Sequence, residues 1–229
     1  MSRGNQLILA KTASIPKPNE YIQMMLGEYA SWTFTEEEAP LFKGKWQTEV
    51  FKNSGPIDLE IGTGSGYHFA HYGQSYPDRN LVGLELKYKP LIQSIRRARM
   101  YGCSNTRMVR YNATLLRDLF AEGELSKVMI HFPDPWSKKR QKKHRLLQVQ
   151  FLNQLHLLQT SGQLLEFKTD NKEYFDWAIE NFAQTQYKML AHTHDLHNSQ
   201  WVGDNFITGF ESLFLNLGLK INFALFKVE

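Results

Sequence analysis

From Ile57 onward the chain alternates short apolar runs with amphipathic stretches, and this alternation narrows the fold more than any other feature. Runs over residues 57–61, 81–86, 106–111, 128–132 and 163–168 have strand length, and a helical pattern follows each. Strand, helix and strand in succession wind into a parallel sheet with helices on both faces, because each parallel connection must cross back over the sheet. Residues 90–100 show the helical type. Leu91, Ile92, Ile95 and Ala98 recur at helical spacing behind Pro90, which suits a first helical position. Arg96, Arg97 and Arg99 complement the helix dipole at the other end. After residue 188 come an apolar stretch at 189–196, a polar one at 198–205 and a last apolar run at 221–228. Two late strands flanking a helix would complete a sheet of seven, with antiparallel pairing near one edge. Residues 1–40 lack periodicity apart from 21–32, so they read as an arm with a short helix ahead of a single domain over 41–229.

With 229 residues, 42% of them hydrophobic, the chain can bury one full core. Cys103 is the only cysteine, which excludes an internal disulfide or a zinc knuckle and fits a reducing compartment. Near the N-terminus the one apolar run is residues 7–10, far short of a signal-peptide core, and nothing approaches a membrane span. The expectation is a soluble, cytoplasmic protein without membrane attachment. Its oligomeric state, monomer or homodimer, is open from sequence.

The stretch IDLEIGTGSG sets Ile57, Leu59 and Ile61 on one strand face and then brings Gly62, Gly64 and Gly66 into a turn before a helix starting near Tyr67. Such a turn lets backbone approach a nucleotide ligand at a helix N-terminus. The spacing is GxGxG, not the dinucleotide GxGxxG, and Glu60 precedes the first glycine by two residues. A carboxylate there repels a pyrophosphate and suits the ammonium of a methionine moiety. Glu85 ends the next strand, where it can accept both hydroxyls of an adenosine ribose. The pair points to S-adenosylmethionine.

The second marked stretch is FPDPWSKKRQKKHR, residues 132–145. Asp134 sits between two prolines ahead of Trp136, and six of the chain's 27 Lys and Arg fall within residues 138–145. The other 21 face 23 Asp and Glu, so the net charge of +4 is local to this run. Lys138, Lys139, Arg140, Lys142, Lys143 and Arg145 suit a polyanion, since each neutralised phosphate releases counterions. The bland alternative is a solvated charge run. Trp136 could stack on a base or pack in the core. In FKTDNKEY, Asp170 could contact a ligand at a strand end or cap a helix near Lys172, with Glu173 completing a capping box. His192, His194 and His197 lack the spacing and partners of a metal site, and none is expected.

Together LEIGTGSG, FPDPWSKKRQKKHR, FKTDNKEY and the late TGFE resemble the bacterial tRNA (guanine-N7-)-methyltransferase family, of the class I, Rossmann-like, seven-stranded S-adenosylmethionine-dependent methyltransferases. The resemblance implies that Glu60 and Glu85, with Asn112 standing where the family has an acid, bind S-adenosylmethionine beside the glycine loop. It implies that Asp134 is catalytic and touches the cofactor. Lys138, Asp170 and the run Thr208, Gly209, Phe210 and Glu211 match substrate-contacting positions. The partner so implied is tRNA, methylated at N7 of the variable-loop guanine at position 46. Two alternatives stay open: methylation of an amine in another RNA or a protein, and a non-catalytic RNA-binding module on the same scaffold. After Thr208, Gly209 and Phe210 the run ESLFLNLG carries no Lys or Arg before Lys220, a departure from the family pattern.

Overall fold

Eight strands form one sheet in the computed structural model, which describes residues 11–203 and 205–229. They are β1 (Thr33–Phe34), β2 (Ile57–Ile61), β3 (Asn80–Leu84), β4 (Thr106–Val109), β5 (Leu125–His131), β6 (Leu164–Thr169), β7 (Tyr187–Thr193) and β8 (Asn222–Val228), in the spatial order β1-β4-β3-β2-β5-β6-β8-β7. All neighbours pair in parallel except β8, which runs antiparallel to β6 and β7. The helices are α1 (Glu20–Leu26), α2 (Tyr67–Ser75), α3 (Tyr88–Met100), α4 (Leu116–Leu119), α5 (Val149–Leu158), α6 (Lys172–Phe182) and α7 (Gly209–Asn216).

The alternating pattern thus becomes the doubly wound sheet it implies, with three corrections. The sheet has eight strands rather than seven, because the stretch before Pro40 contributes β1, an edge strand against β4. At two residues, β1 is too short to leave a period in the sequence. The run at 81–86 stops being a strand at Leu84. There the Glu85 Oε1 accepts the backbone N–H of Leu86 at 2.8 Å and of Lys87 at 3.0 Å, which turns the chain. Pro90 lies in the third position of α3 rather than the first; helix N–H groups in the first turn have no intrahelical partner, so proline costs nothing there. The apolar run at residues 7–10 lies outside the described residues.

β2 and β3 are buried along their whole length, and alternate residues feed two cores. Leu59, Val82, Val128 and Phe167 face one core with Trp46, Leu155 and Phe175; Leu81, Met108 and Met129 face the other with Met25, Phe69 and Ile95. Trp46 is fully buried and its indole N–H bonds the Leu119 carbonyl at 2.8 Å, so its loss should cost about 3–5 kcal/mol. Asp58, also fully buried, holds the base of β2 through Arg79, the Tyr72 hydroxyl (2.8 Å) and the Lys127 N–H (2.9 Å). Arg97 stacks 3.6 Å from the Tyr67 ring centre and Arg99 4.2 Å from the Trp32 ring centre, tying α3 to its neighbours.

Chain order reverses between β2 and β5. After β2 the chain builds outward through β3 and β4, then returns to place β5 on the other side. Open sheets of this kind bind ligands outside the carboxyl ends of the strands at that reversal.

Candidate active site

At the reversal point, the loop after β2 turns on glycines with φ of 78°, 55° and 78° at Gly62, Gly64 and Gly66. Gly62 is the open position: a Cβ there meets nothing within 4 Å, so backbone is presented directly to a ligand. Gly66 is the packed one. A Cβ there would come within 2.3 Å of the Ser94 Cα, so this glycine seats α2 on α3 and lines no cavity. The N-terminus of α2 opens on the loop without a side-chain cap.

A cavity of about 70 Å³ lies over the loop, lined by Glu60, Gly62, Gly64, Tyr67, His68 and His131 with the Thr208, Gly209 and Phe210 run above. The volume admits several non-hydrogen atoms, enough for one end of a ligand. Glu60 is buried, and its Oε2 lies 2.9 Å from His68 Nδ1. The His68 ring stands edge-on to His131, centroids 4.5 Å apart. His131 Nε2 in turn meets Glu166 Oε1 at 2.9 Å, and Lys127 Nζ meets Glu166 Oε2 at 2.8 Å. Burial works to raise the Glu166 carboxyl, but the His131 hydrogen bond and the Lys127 charge overcome it and hold the group ionised, well below its ordinary range.

Glu85 and Asn112 stand apart from this cavity, at the ends of β3 and β4. Glu85 is anchored through Oε1 as described above. Asn112 caps the turn after β4, its Oδ1 accepting from the Thr114 N–H and hydroxyl at 3.0 Å each. A carbonyl oxygen has two lone pairs, so Thr114 takes both, and the Nδ2 amide is the part of the side chain left to meet a ligand. The donor set fits S-adenosylmethionine: a buried carboxylate and an open glycine at one end, an anchored carboxylate one strand away.

The turn that opens the basic run is held by backbone in an unusual state. Phe132 and Trp136, bulky residues on either side of Pro133, Asp134 and Pro135, have φ of 51° and 43°. Left-handed backbone at such residues costs about 1–3 kcal/mol each and persists only where neighbours enforce it. The enforcing group is Arg145. Its Nε donates to the Pro135 carbonyl at 2.8 Å, its Nη2 to both Glu173 oxygens at 3.1 and 3.0 Å, and its guanidinium lies 5.1 Å from the ring centres of Tyr174 and Trp177. Asp134 is left exposed at the tip. Trp136 is half-buried against His144, with centroids 5.5 Å apart.

Residues Lys139–His144 form a 3₁₀ helix. Side chains three apart eclipse in that geometry, which sets Lys142 in one row with Arg145. Lys142 reaches Glu173 Oε1 at 2.7 Å and, three residues on, Arg145 is 1% exposed. Lys138, Lys139, Arg140 and Lys143 are exposed to solvent. Arg145 is therefore not a phosphate contact as expected from sequence; its buried guanidinium has no route to a polyanion. The Glu173 carboxyl is held below its ordinary range by the Lys142 hydrogen bond first and that of Arg145 next.

Two further expectations change. Asn171, not Asp170, caps α6, its side chain accepting from the Tyr174 N–H at 2.8 Å, and Glu173 serves Arg145 instead of a capping box. Asp170 stays half-buried at the end of β6, where burial raises its carboxyl above the ordinary value. Glu211 is fully buried, taking Lys168 Nζ at 3.4 Å, His197 Nε2 at 2.8 Å and Asn205 Nδ2 at 2.7 Å. It anchors the loop before α7 from inside and does not face a substrate. Thr208 caps α7 through the Glu211 N–H at 3.1 Å, and Phe210 is exposed over the glycine loop. His194 bonds Asn222 Oδ1 at 2.8 Å and His197 bonds Glu211, so these two hold structure, while His192 is exposed.

Sequence reasoning missed His68, His131, Glu166 and Lys127. His131 carried a signal, since it directly precedes the proline turn. The other three come together only through the pairing of β5 with β6 and the packing of α2.

Residues 54–224 match a family of methyltransferases described as putative. The chain is 51% identical over 200 residues to a tRNA (guanine-N(7)-)-methyltransferase of Bdellovibrio bacteriovorus, an alignment covering 86% of this chain and 96% of that one. It is 34% identical over 180 residues to the enzyme of the same description from Bacillus subtilis, covering 79% and 84%. Among solved structures, a 16S rRNA methyltransferase, KamB, superposes with a TM-score of 0.57 at 13% identity, covering 76% of this chain and 88% of that one. A SAM-dependent methyltransferase from Aquifex aeolicus gives 0.53 at 9% identity, covering 77% and 84%. These structural likenesses show a shared fold.

Proposed function

The chain belongs to the tRNA (guanine-N(7)-)-methyltransferase family, and on that premise we propose that it moves a methyl group from S-adenosyl-L-methionine to N7 of the guanine at position 46 of tRNA. The observation that carries this reading is the position of Asp134. It is an exposed carboxylate on a conformationally enforced turn, between Phe132, which lines the cavity, and four solvated cations.

Guanine N7 offers an in-plane lone pair and no proton, so the reaction needs alignment more than a base. The donor, when bound, supplies an electrophilic methyl on a sulfonium. The N7–carbon bond forms as the carbon–sulfur bond breaks, and positive charge passes to the guanine ring. Asp134 accepts hydrogen bonds from the N1–H and amino edge of that ring and offsets the charge as it develops. With the donor bound, Glu60 would take its ammonium, Gly62 would let backbone approach it, the N-terminus of α2 would suit its carboxylate, and Glu85 and Asn112 would hold ribose and adenine. Lys138, Lys139, Arg140 and Lys143 neutralise phosphates beside the acid, and Asp170, Thr208, Gly209 and Phe210 border the base. The domain that carries out the reaction takes in β1 and Met25 ahead of residue 41, and its compartment is the cytoplasm. Among the described residues no helix is long and apolar enough to cross a membrane.

The test is methylation of unmodified tRNA with labelled donor, followed by mapping of the modified nucleoside. N7-methylguanosine at position 46 is expected, and Asp134→Ala should abolish it while the circular dichroism spectrum persists. An N-methylated amine as product, or wild-type turnover by the variant, would overturn the reading.

A further inference from the structure

His131 closes β5 and lines the cavity over the glycine loop, yet the reaction as described does not use it. Its two nitrogens differ. Nε2 lies 2.9 Å from Glu166, whereas Nδ1 is buried and has no hydrogen-bond partner among the described residues. An unmatched buried polar atom costs about 1–3 kcal/mol, so a retained one points to a ligand. Which proton the ring carries follows from its surroundings. Burial, then the charge of Lys168 and the neighbouring His68, push the imidazole well below its ordinary value, and the Glu166 contact does not reverse this. The ring is neutral, and Glu166, ionised and paired with Lys127, takes the one N–H from Nε2. Nδ1 therefore presents a lone pair.

Besides the neutral hydroxyls of Thr63, Ser65, Tyr67 and Thr208, the cavity wall holds the Glu60 carboxylate and His131 Nδ1 as acceptors; His68 is engaged through Nδ1 with Glu60, and no Lys or Arg lines the cavity. A group with several N–H donors and a positive charge matches that pair, and a carboxylate or phosphate does not. We propose that His131 Nδ1 is a second acceptor, beside Glu60, for the ammonium of the methyl donor's amino-acid end, with its tautomer fixed from behind by the Glu166–Lys127 pair. This deepens the proposed function and rests on its reading of the cavity as the site of that end.

The consequence is selectivity for ligands that carry the amino-acid end. Calorimetry with two probes reads it: S-adenosylhomocysteine, which has the ammonium, and 5′-methylthioadenosine, which lacks the amino-acid end. Glu166→Gln tests the tautomer without touching the cavity, because Glu166 does not line it. The amide can donate to Nε2, which moves the ring proton to Nδ1 and turns it against the ammonium. Affinity for S-adenosylhomocysteine should fall about tenfold or more, while that for 5′-methylthioadenosine stays within about twofold. ¹⁵N resonances of His131 should show the proton on Nε2 in the wild type and on Nδ1 in the variant. His131→Leu, which removes the acceptor outright, should give the same selective loss.

A wild-type spectrum with the proton on Nδ1 would overturn the proposal. So would equal loss of both ligands in the two variants, which marks a merely structural role, or unchanged binding of both in His131→Leu. Glu60→Gln separates this from the underlying reading. If it erases the preference for S-adenosylhomocysteine and the His131 and Glu166 variants do not, the cavity is read correctly and His131 is not. If none of the three changes the preference, the amino-acid end binds elsewhere.

Discussion

Arg145→Ala discriminates between a clamp and a phosphate contact within the same basic run. The clamp loses a hydrogen bond from a charged donor to the Pro135 carbonyl, worth roughly 1.5–3 kcal/mol. Two ring contacts, at 5.1 Å from Tyr174 and from Trp177, add about 1–2 kcal/mol together. The pair with Glu173 adds little, since that carboxylate is solvated. Against these stands the desolvation of a guanidinium whose Nη1 has no partner. The net loss is about 3 kcal/mol, or a fall in Tm of roughly 6–12 °C for a chain of this size. Freed of the clamp, Phe132 and Trp136 relax from their left-handed backbone, Asp134 loses its fixed position and methyl transfer drops more than tRNA affinity does. The slope of log K against log salt for tRNA binding should stay as in the wild type, whereas Arg140→Ala should lower its magnitude by about 0.7–0.9 and leave Tm alone. Thermal unfolding and filter binding across a salt series make the comparison. An Arg145→Ala protein with unchanged Tm and a shallower salt slope would refute the clamp.

Three other outcomes follow from the buried charges and the adenine site. Because the folded His131 binds its proton below the unfolded value, the unfolded chain holds the extra proton as pH drops beneath about 6.5. Stability should then fall by up to about 1.4 kcal/mol per pH unit, visible in urea midpoints between pH 7.5 and 5.5 and flattened in His131→Leu. Glu211→Gln strands the buried Lys168 and should cost about 3–5 kcal/mol by urea unfolding, whereas the double variant Lys168→Met, Glu211→Leu should recover most of it; equal stability of the single variant and the wild type would sink the anchor role. Asn112→Asp keeps the Thr114 cap and adds charge toward the adenine amino group, so donor affinity should rise about fivefold by calorimetry.

The parallel strands and α2, α3 and α6 were legible because each depends on local periodicity and glycine placement. β1 was not, since its two residues owe their strand state to β4 alone. At the site, the placement of Glu60, Gly62, Glu85 and Asp134 at or just past strand ends was readable from motif spacing. Residue type misled at Arg145 and Glu211. Arg145 in its run of charges and Glu211 on a helix start both look solvated, and only the approach of α6 to the first and of His197 and Asn205 to the second shows that they are buried. His68 and Glu166 were invisible for the complementary reason: each meets His131, which is distant in sequence from both. Asp170 looked like a cap, but Asn171 takes the position because its amide reaches Tyr174.

The 3₁₀ turn over Lys139–His144 constrains the length of the basic segment rather than its composition. Adding or deleting one residue within it would rotate every later side chain by about a third of a turn. His144 or Leu146 would then swing toward the burial site of Arg145, and Arg145 would swing out to water, with net charge almost untouched. Relatives and engineered variants can therefore exchange Lys and Arg at 138, 139, 140 and 143, whereas an insertion or deletion between Pro135 and Arg145 would unfasten the turn that carries Asp134.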